Sequence, residues 1–391
     1  MTTLPGIEEI ALGKFKIEDR KSIAIEDILG REIVPPIPGL LNKNIRNKNV
    51  LVTGAGGSIG SELCKQILQL KPQQIVLFEL NEFGLYNIER HLNNSNKNNK
   101  IKIISVLGNV CDTKKLKEIF QDYSIHAVYH AAAYKHVPLV EFNIVEGLNN
   151  NTFGTFSCIE ASIHAEVKSF VLISTDKAVR PTNIMGASKR LCEMIVQALA
   201  SEKTYNQKKI RTEFSAVRFG NVLGSSGSVL PLFREQIKNN GPLTITHKDI
   251  TRYFMTVKEA AQLVIQASAI AKTKGNIFVL DMGMPVKILE LAKKMIELSG
   301  FKWTLSNPSQ EREIQIIFNG LRPGEKLYEE LMIDNNFDKT KHPKIDLIKD
   351  HFMTWRELKK KLITLKELLN NRNDKKIKNF LINVIKDYKP S

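Results

Sequence analysis

The sequence predicts an α/β fold, a doubly wound parallel sheet with a smaller and less regular part toward the C-terminus. Short runs rich in Val and Ile alternate with helical patterns, as in parallel βαβ units. A glycine-rich turn lies between the first of these runs and the first helical pattern, a position typical of doubly wound sheets. The chain has 391 residues, 42% hydrophobic and 25% charged, which is enough to bury a full core.

Four segments are predicted along the chain. Residues 1–46 are a lead-in segment with a proline-rich breaker cluster at 35–39, and residues 47–220 carry the sheet. The strands expected in this second segment are 49–53, 75–78, 101–106, 127–130, 170–173 and 214–218. Residues 221–350 are irregular and richer in Gly, Pro and Arg, as expected for a ligand-binding part that is interleaved with the core. Residues 351–391 show two amphipathic helical patterns.

The basic charge is concentrated in the last segment. Lys and Arg number 57 against 41 Asp and Glu, a formal net charge of +16, and residues 351–391 contain eleven basic and four acidic side chains. Apolar residues recur between these charges at helical spacing: Leu358, Leu362, Leu365, Leu369, Ile377, Leu381 and Val384. This pattern favours helices with a solvated basic face. A nucleic-acid partner is not expected, because the lysines are not interleaved with stacking aromatics and no binding motif accompanies them.

Cysteine usage and hydropathy indicate the expected compartment. Cys64, Cys111, Cys158 and Cys192 are far apart and have no paired metal-ligand spacing, so the sequence predicts reduced thiols and no metal. No apolar run reaches the ~18 residues of a membrane span, and the N-terminus lacks the pattern of a signal peptide. A cytoplasmic protein without an integral membrane segment is therefore expected.

The glycine-rich turn predicts a dinucleotide site. Residues 53–60, Thr-Gly-Ala-Gly-Gly-Ser-Ile-Gly, follow a buried run, and their glycines would let backbone N–H groups and a helix N-terminus approach a pyrophosphate. The residues assigned to this contact are Gly54, Gly57, Ser58, Ile59 and Gly60. Glu79 lies 19 residues beyond Gly60, near the ~20 expected for the acid that accepts the adenosine ribose hydroxyls. Because a carboxylate there repels a 2′-phosphate, the sequence favours NAD over NADP, in a Rossmann-type fold.

Residues after the next two strands extend the cofactor site. Asn109 and Val110 follow the third strand, where an amide can bind the adenine amine and a valine can pack on the ring. Small residues after the fourth strand, Ala131, Ala132 and Ala133, would let the backbone run close to the cofactor. Asn151 and Lys189 complete the predicted set of cofactor contacts.

Residues 174–189 are similar to a dehydrogenase active site whose usual Tyr-x-x-x-Lys pair has become Met185-x-x-x-Lys189. Asp176 and Lys177 follow the fifth strand at its carboxyl end, where such sheets bind ligands. A plain dehydrogenase needs a single base at the alcohol, so an additional Asp-Lys pair indicates oxidation combined with a second acid/base step.

Together these motifs resemble the extended short-chain dehydrogenases/reductases and, more narrowly, the bacterial UDP-N-acetylglucosamine 4,6-dehydratases of capsule, O-antigen and protein-glycosylation pathways. The resemblance runs from Asn49 to Tyr388 and includes the segments 133–139, 218–225, 249–255 and 321–328. Residues 25–31 are similar to the linker that precedes the catalytic domain in long, membrane-anchored relatives. Whether this chain is a natural short form or part of such a protein stays open.

The resemblance implies a reaction sequence and roles for the Asp-Lys pair. NAD removes hydride from sugar carbon 4, water is then lost across carbons 5 and 6, and the hydride returns to carbon 6. Asp176 is implied as the acid for the leaving 6-hydroxyl and Lys177 as the base at carbon 5. These roles require Asp176 to be protonated and Lys177 to be partly neutral, through burial or mutual coupling.

Met185 cannot accept a proton, which leaves three interpretations. Thr175 or an ordered water, polarised by Lys189, accepts the proton of the 4-hydroxyl; the chain is catalytically inactive; or the methionine marks a branch with its own geometry. The resemblance favours the third, because the branch that retains configuration at carbon 5 is similar to Met-x-x-x-Lys at this position and the inverting branch keeps tyrosine.

The nucleotide-sugar contacts are likewise implied by the resemblance. Basic side chains suit a diphosphate, and the substrate-binding residues expected are Lys135, His136, Asn221, Val222, Arg252, Arg322 and Glu325. Arg252 and Arg322 would bind phosphate oxygens, Asn221 would add neutral contacts, and Glu325 would accept uridine ribose hydroxyls. Lys135 and His136 would lie near the sugar, although a packed core position is an equal alternative for His136. The expected partners are UDP-N-acetylglucosamine and further copies of this chain in a homo-oligomer.

Three other functions remain open on the sequence. A nucleotide-sugar 4-epimerase would share the NAD and UDP sites but would not use Asp176 and Lys177, and an inverting dehydratase would differ only at carbon 5. A catalytically silent scaffold would bind both ligands without turnover.

Overall fold

The computed structural model describes residues 34–96, 100–225, 227–272, 275–333 and 336–390. The segment 25–31 and most of the predicted lead-in segment lie outside these ranges.

Strands and helices alternate along the described chain. The strands are β1 (Asn49–Thr53), β2 (Gln74–Glu79), β3 (Lys102–Leu107), β4 (Ala127–His130), β5 (Ser169–Ile173), β6 (Thr204–Tyr205), β7 (Lys208–Lys209), β8 (Glu213–Arg218), β9 (Asn221–Leu223), β10 (Leu243–Ile245), β11 (Thr251–Arg252), β12 (Phe254–Thr256), β13 (Asn276–Leu280), β14 (Val286–Lys287), β15 (Lys302–Thr304), β16 (Glu313–Phe318), β17 (Phe337–Lys339) and β18 (Ile345–Ile348). The α-helices are α1 (Pro38–Asn42), α2 (Ser58–Gln69), α3 (Glu82–Ser95), α4 (Thr113–Asp122), α5 (Val137–Phe142), α6 (Ile144–Leu148), α7 (Gly154–His164), α8 (Ile184–Ala200), α9 (Val229–Lys238), α10 (Val257–Ile270), α11 (Ile288–Leu298), α12 (Trp355–Asn370) and α13 (Asp374–Val384). A π turn spans Asn149–Phe153 and a 3-10 turn spans Asp176–Ala178.

A nine-stranded sheet forms the centre of the molecule, in the order β17-β18-β13-β8-β5-β4-β1-β2-β3. The seven strands from β13 to β3 in this spatial order run parallel. The strands β18 and β17 add to the β13 edge in antiparallel pairs. The six predicted strands are β1 to β5 and β8, each within one residue of its expected bounds. The predicted doubly wound parallel sheet is confirmed.

Helices cover both faces of this sheet because its central strands are apolar on both sides. Every residue of β1 and β5 is buried, as expected for parallel strands between two helical layers. One hydrophobic cluster joins the sheet to α4, α7 and α8, and a second joins the opposite face to α2 and α10.

A third cluster lies apart from the main sheet and joins α9, α11 and the small sheet β10-β16-β15. The chain does not stay in this smaller part once it has entered it. After β12 it returns through α10 to β13, and later through β18, to the main sheet. The two parts are therefore interleaved along the sequence, and loops from the smaller part can reach the carboxyl ends of the main strands.

The C-terminal helices α12 and α13 pack on the layer that contains α8. Thr354 begins α12 with a capping box, in which its side chain and that of Glu357 each bond the other's backbone N–H. The apolar residues of the two helical patterns, four on α12 and three on α13, are all buried in the first cluster. Among the described residues, no helix is long and apolar enough to cross a membrane.

Candidate active site

The glycine-rich turn brings the ends of β1 and β4 into close backbone contact. Gly54 has a φ of +64°, and a Cβ there would lie 2.7 Å from the backbone nitrogen of Ala132. A Cβ on Gly60 would overlap the carbonyl oxygen of Gly54, so α2 begins directly against the turn. The helix α2 starts at Ser58, and its N-cap residue Gly57 has no side chain to bond the first N–H groups of the helix. The residues present therefore fit a pyrophosphate, because a close backbone and the N-terminus of a helix meet at this point.

Glu79 places a carboxylate beside this turn. Its Oε2 accepts a hydrogen bond from the backbone N–H of Gly56 at 2.8 Å, and its Oε1 accepts from Leu80 and Asn81 at 2.8 and 3.0 Å. These bonds fix the acid at the end of β2, at the site predicted for the adenosine ribose.

The residues predicted to surround the adenine differ in exposure. Asn109 is exposed, and its Oδ1 accepts from the backbone of Cys111 at 2.8 Å. Val110 is buried in the first cluster, where a Cβ on Gly154 would meet its methyl group at 2.7 Å. Only Asn109 of the pair thus presents its side chain to solvent.

Asn151 is fully buried and holds the loop after β4. Its Oδ1 accepts from the backbone of Tyr134 at 2.8 Å, while its Nδ2 donates to Tyr134 O at 2.9 Å and to Ser188 Oγ at 3.0 Å. The amide therefore ties the loop that follows Ala133 to α8, and its contribution to a cofactor site is to position that loop.

Asp176 lies in the 3-10 turn after β5 and is completely buried. Its Oδ1 accepts from Thr175 Oγ1 at 2.8 Å and from Lys177 Nζ at 3.0 Å. Within the part of the chain that the structure describes, its Oδ2 has no hydrogen-bond partner. A Cβ on Gly220 would lie 3.2 Å from this oxygen, so the glycine leaves room beside it. A buried carboxyl oxygen without a partner is costly and marks a position for a ligand group.

Lys177 is surrounded by acceptors. Besides Asp176, its Nζ lies 3.2 Å from Asn221 Oδ1 and 3.5 Å from Glu329 Oε1. Burial lowers the pKa of Lys177, but the carboxylates of Asp176 and Glu329 outweigh burial and raise the pKa above its usual value. The expectation that Lys177 is partly neutral is therefore not met, because the two carboxylates stabilise its charged form.

The helix α8 carries Met185 and Lys189 one turn apart on the same face. Met185 is 4% exposed and packs in the first hydrophobic cluster. Lys189 is buried, and its Nζ donates to the carbonyl of Ile173 at 2.9 Å at the end of β5. Burial lowers the pKa of Lys189. A Cβ on Gly186 would overlap the carbonyl oxygen of Lys177, which shows how closely α8 approaches the Asp-Lys turn.

Arg252 and Glu325, both predicted to bind the nucleotide, are paired with each other. Arg252 Nη2 lies 3.1 Å from Glu325 Oε1, and the backbone N–H of Arg322 donates to Glu325 Oε2 at 3.2 Å. The Arg252 side chain is buried, whereas Arg322 is exposed. A contact from Arg252 or Glu325 to a nucleotide would have to share or replace this ion pair.

Lys135 and His136 lie exposed on the loop after β4. The alternative of a packed core position for His136 is wrong, because the ring lies at the surface beside Gly227. Gly227 has a φ of +68°, and a Cβ there would overlap the His136 ring. Val222 lies within β9, which pairs with β12, and Asn221 begins that strand next to Lys177.

Glu329 is a residue of this site that the sequence did not reveal. It is 7% exposed, contacts Lys177, and lies 3.8 Å from Arg252 Nε through Oε1. Its position directly follows the segment 321–328, but adjacent glutamates in an irregular loop give no periodic signal. Only the fold brings this loop to the end of β5.

The doubly wound sheet, the glycine turn after β1 and the lysine of α8 behind the end of β5 define the fold of an extended short-chain dehydrogenase/reductase. The sequence pattern of the family described as polysaccharide biosynthesis protein matches residues 50–350. The chain belongs to this family.

Curated relatives agree with this family. The chain is 48% identical over 332 residues to the capsular polysaccharide biosynthesis protein CapD of Staphylococcus aureus, covering 85% of this chain and 53% of the relative. It is 46% identical, with the same coverage, to the probable polysaccharide biosynthesis protein EpsC of Bacillus subtilis. The chain thus spans about half the length of these relatives. It is also 33% identical to a UDP-glucose 4-epimerase of Rickettsia felis, covering 75% of this chain and 80% of the relative.

Solved structures share the fold. Pen from Bacillus thuringiensis superposes with a TM-score of 0.68 and 31% identity, covering 82% of this chain and 98% of Pen. DesIV, a dTDP-glucose 4,6-dehydratase from Streptomyces venezuelae solved with NAD, superposes with a TM-score of 0.59 over 72% of this chain and 87% of DesIV. At 18% identity, the second likeness concerns the fold alone.

Proposed function

We propose that this protein is a UDP-N-acetylglucosamine 4,6-dehydratase that uses tightly held NAD and retains configuration at carbon 5. The observation that carries the proposal is the buried Asp176-Lys177 pair, whose Oδ1–Nζ distance is 3.0 Å and whose second carboxyl oxygen has no partner among the described residues. A reaction that only oxidises and reduces a hydroxyl has no use for such a pair.

The glycine turn and Glu79 would hold NAD, and Lys189, behind the end of β5, would contact its ribose. When bound, NAD supplies the acceptor for the hydride of carbon 4 and returns that hydride to carbon 6. NAD is preferred over NADP because the Glu79 carboxylate would repel a 2′-phosphate. Asn109 would bind the adenine edge.

The Asp176-Lys177 pair supplies the elimination step. Lys177 would take the proton from carbon 5, and Asp176 would give its proton to the 6-hydroxyl, which leaves as water. The pair holds one proton before the step, on Asp176, and one proton after it, on Lys177, so the two transfers balance. The carboxylates that raise the pKa of Lys177 favour the form with the proton on the lysine, which is the form after the step.

The proton of the 4-hydroxyl needs a separate acceptor because Met185 has none to offer. Thr175 is the candidate on this side, and its Oγ1 donates to Asp176 Oδ1 at 2.8 Å. An ordered water polarised by Lys189 is the alternative.

The sugar nucleotide would lie between the main sheet and the smaller part. Arg252 and Arg322 would contact the diphosphate, Glu325 the uridine ribose, and Lys135, His136, Asn221 and Val222 the sugar side. A bacterial surface glycan is the proposed destination of the product, in keeping with the family.

The test is turnover of UDP-N-acetylglucosamine by the full chain in deuterated water, followed by NMR of the product. We expect a 4-keto-6-deoxy sugar that carries deuterium at carbon 5 with retained configuration. Deuterium at an inverted carbon 5 would replace the retaining assignment with the inverting one. A 4-epimer without any keto sugar would replace the dehydratase with the second candidate, a 4-epimerase, which the Rickettsia felis relative favours.

A further inference from the structure

The loop that carries Glu329 is fastened to the catalytic segment at several points. The carbonyl of Gly324 accepts from Thr182 Oγ1 and from Asn183 Nδ2, both at 2.9 Å. Lys326 Nζ donates to the carbonyl of Val179 at 3.0 Å. These bonds join the loop to the residues between the Asp-Lys turn and α8, so Glu329 is held in a fixed position over Lys177.

Glu329 differs from its neighbour Glu330 in what it contacts. Glu330 is 37% exposed at its side chain and pairs with Arg180 and Lys326, contacts that tie the loop to the surface of the catalytic segment. The Glu329 side chain is 3% exposed and lies between two cations, with Oε1 3.5 Å from Lys177 Nζ and 3.8 Å from Arg252 Nε. Within the described ranges, its Oε2 has no hydrogen-bond partner.

The charges that face Lys177 come from three elements. Asp176 is on its own turn, Glu329 is on the loop after β16, and Arg252 is on β11. Asn221 adds a neutral acceptor. When Asp176 carries the catalytic proton, Glu329 is the negative charge among the described residues that stays in contact with the lysine.

We propose that Glu329 is a positioning residue that fixes Lys177 and makes the Asp176-Lys177 pair keep its shared proton to high pH. Its relevance to catalysis rests on the proposed dehydratase function, but its effect on Lys177 does not. The physical reason is that the Glu329 carboxylate, buried 3.5 Å from the ammonium of Lys177, stabilises the charged form of the lysine. The direction agrees with the raised pKa of Lys177, to which Glu329 contributes.

The test measures the charge of Lys177 directly. Carbamylation by cyanate requires the neutral amine, and mass spectrometry of the Lys177 peptide across pH gives the midpoint of its titration. We expect Glu329→Gln to lower this midpoint by about one pH unit. Glu329→Asp, which keeps the charge, should stay close to the wild-type midpoint. Lys360, exposed on α12, is the internal control whose midpoint should be the same in every variant.

Two further variants keep the proposal falsifiable. Glu330→Gln removes the neighbouring charge that does not contact Lys177. The loop keeps its bonds to Thr182, Asn183 and Val179 in this variant, so the Lys177 midpoint should be unchanged. Arg252→Gln removes the cation that opposes the lysine and should raise the midpoint, which provides an answer even if Glu329→Gln fails to fold. A wild-type midpoint in folded Glu329→Gln, or no rise in Arg252→Gln, would overturn the proposal.

The same change should appear in turnover if the proposed function is right. Loss of the shared proton removes the acid, so the alkaline limb of kcat should move to lower pH in Glu329→Gln, with little change in KM for the nucleotide sugar. Cyanate labelling needs no substrate, so the two results are independent. If the wild type makes no keto sugar but Glu329→Gln still shifts the Lys177 midpoint, the dehydratase function is refuted and the effect of Glu329 on Lys177 stands.

Discussion

Two adjacent side chains, Asp176 and Lys177, are coupled by direct contact. The carboxyl is fully buried and bonded to the ammonium at 3.0 Å, so removing the charge from one partner exposes the other to a costly unpaired state. The same coupling allows a proton to change partner with little rearrangement, because the two groups are already in contact. Met185, buried in the apolar layer behind them, neither donates nor accepts in this exchange.

Asp176→Asn provides a test of the acid at the level of one residue. The amide keeps the shape and a bond to Lys177 but cannot give a proton to the leaving 6-hydroxyl. We expect formation of the keto sugar to fall by ~10²- to 10⁴-fold, the range of a general acid. NAD binding, measured by fluorescence titration, should be unchanged.

Asp338→Asn is the matched control for this change. Asp338 pairs with Lys349 at the exposed edge strand β17, so its loss should leave turnover at the wild-type rate. Turnover of Asp176→Asn within a few-fold of wild type would show that another group supplies the proton.

At the scale of elements, the sequence predicts the strands and helices whose burial produces a regular pattern of apolar residues. Buried parallel strands appear as continuous apolar runs, and one face of a surface helix appears as apolar residues three and four apart, so β1 to β5 and the buried face of α12 could be located. The strand β13 was not located, because its five residues lie between irregular segments and its pairing with β8 and β18 depends on distant chain.

In the candidate site, the sequence predicts the residues that directly follow a strand but not the contacts made by a distant loop. Asp176 and Lys177 follow from their position after a strand, since the carboxyl ends of parallel strands meet at one edge. Glu329 and the ion pair between Arg252 and Glu325 depend on how one loop folds over that edge, which side-chain spacing does not encode. Glutamates are moreover common on surfaces, so a buried one is recognised only when its cationic partners are known.

Packing of α12 against α8 gives a prediction for an element. Leu365 is completely buried in the first hydrophobic cluster, which also includes residues of α8, and Leu365→Ala should lower the free energy of unfolding by ~2–5 kcal/mol through lost contacts and a cavity. Ile363 lies two residues away on the same helix and is 54% exposed, so Ile363→Ala should cost less than ~0.5 kcal/mol. Urea denaturation followed by circular dichroism measures both. Equal losses would show that α12 does not pack as described.

Across the whole molecule, a buried ionic network joins parts of the chain that are remote in sequence. Glu193 on α8 accepts from Ser174 at the end of β5 and from Arg218 at the end of β8. Arg218 also pairs with Asp350, which follows β18. The network therefore connects the strand that leads to Asp176, the helix that carries Lys189 and the chain segment that leads to α12.

Glu193→Gln should destabilise the folded protein by ~3–5 kcal/mol at pH 7, because Arg218 would keep its buried charge without a full counter-charge. Burial raises the pKa of Glu193, but Arg218 outweighs burial and holds the pKa below its usual value. A carboxyl with a lowered pKa in the folded state stabilises that state above its unfolded pKa, and this stability is lost as pH falls through the folded pKa. The wild type should therefore lose stability on acidification more steeply than Glu193→Gln, and the difference between their free energies of unfolding should narrow.

Glu290→Gln, which removes an exposed partner of Lys293 on α11, is the control and should follow the wild-type curve at every pH. Urea denaturation at a series of pH values measures all three, and a constant gap would mean that the charge of Glu193 does not stabilise this network.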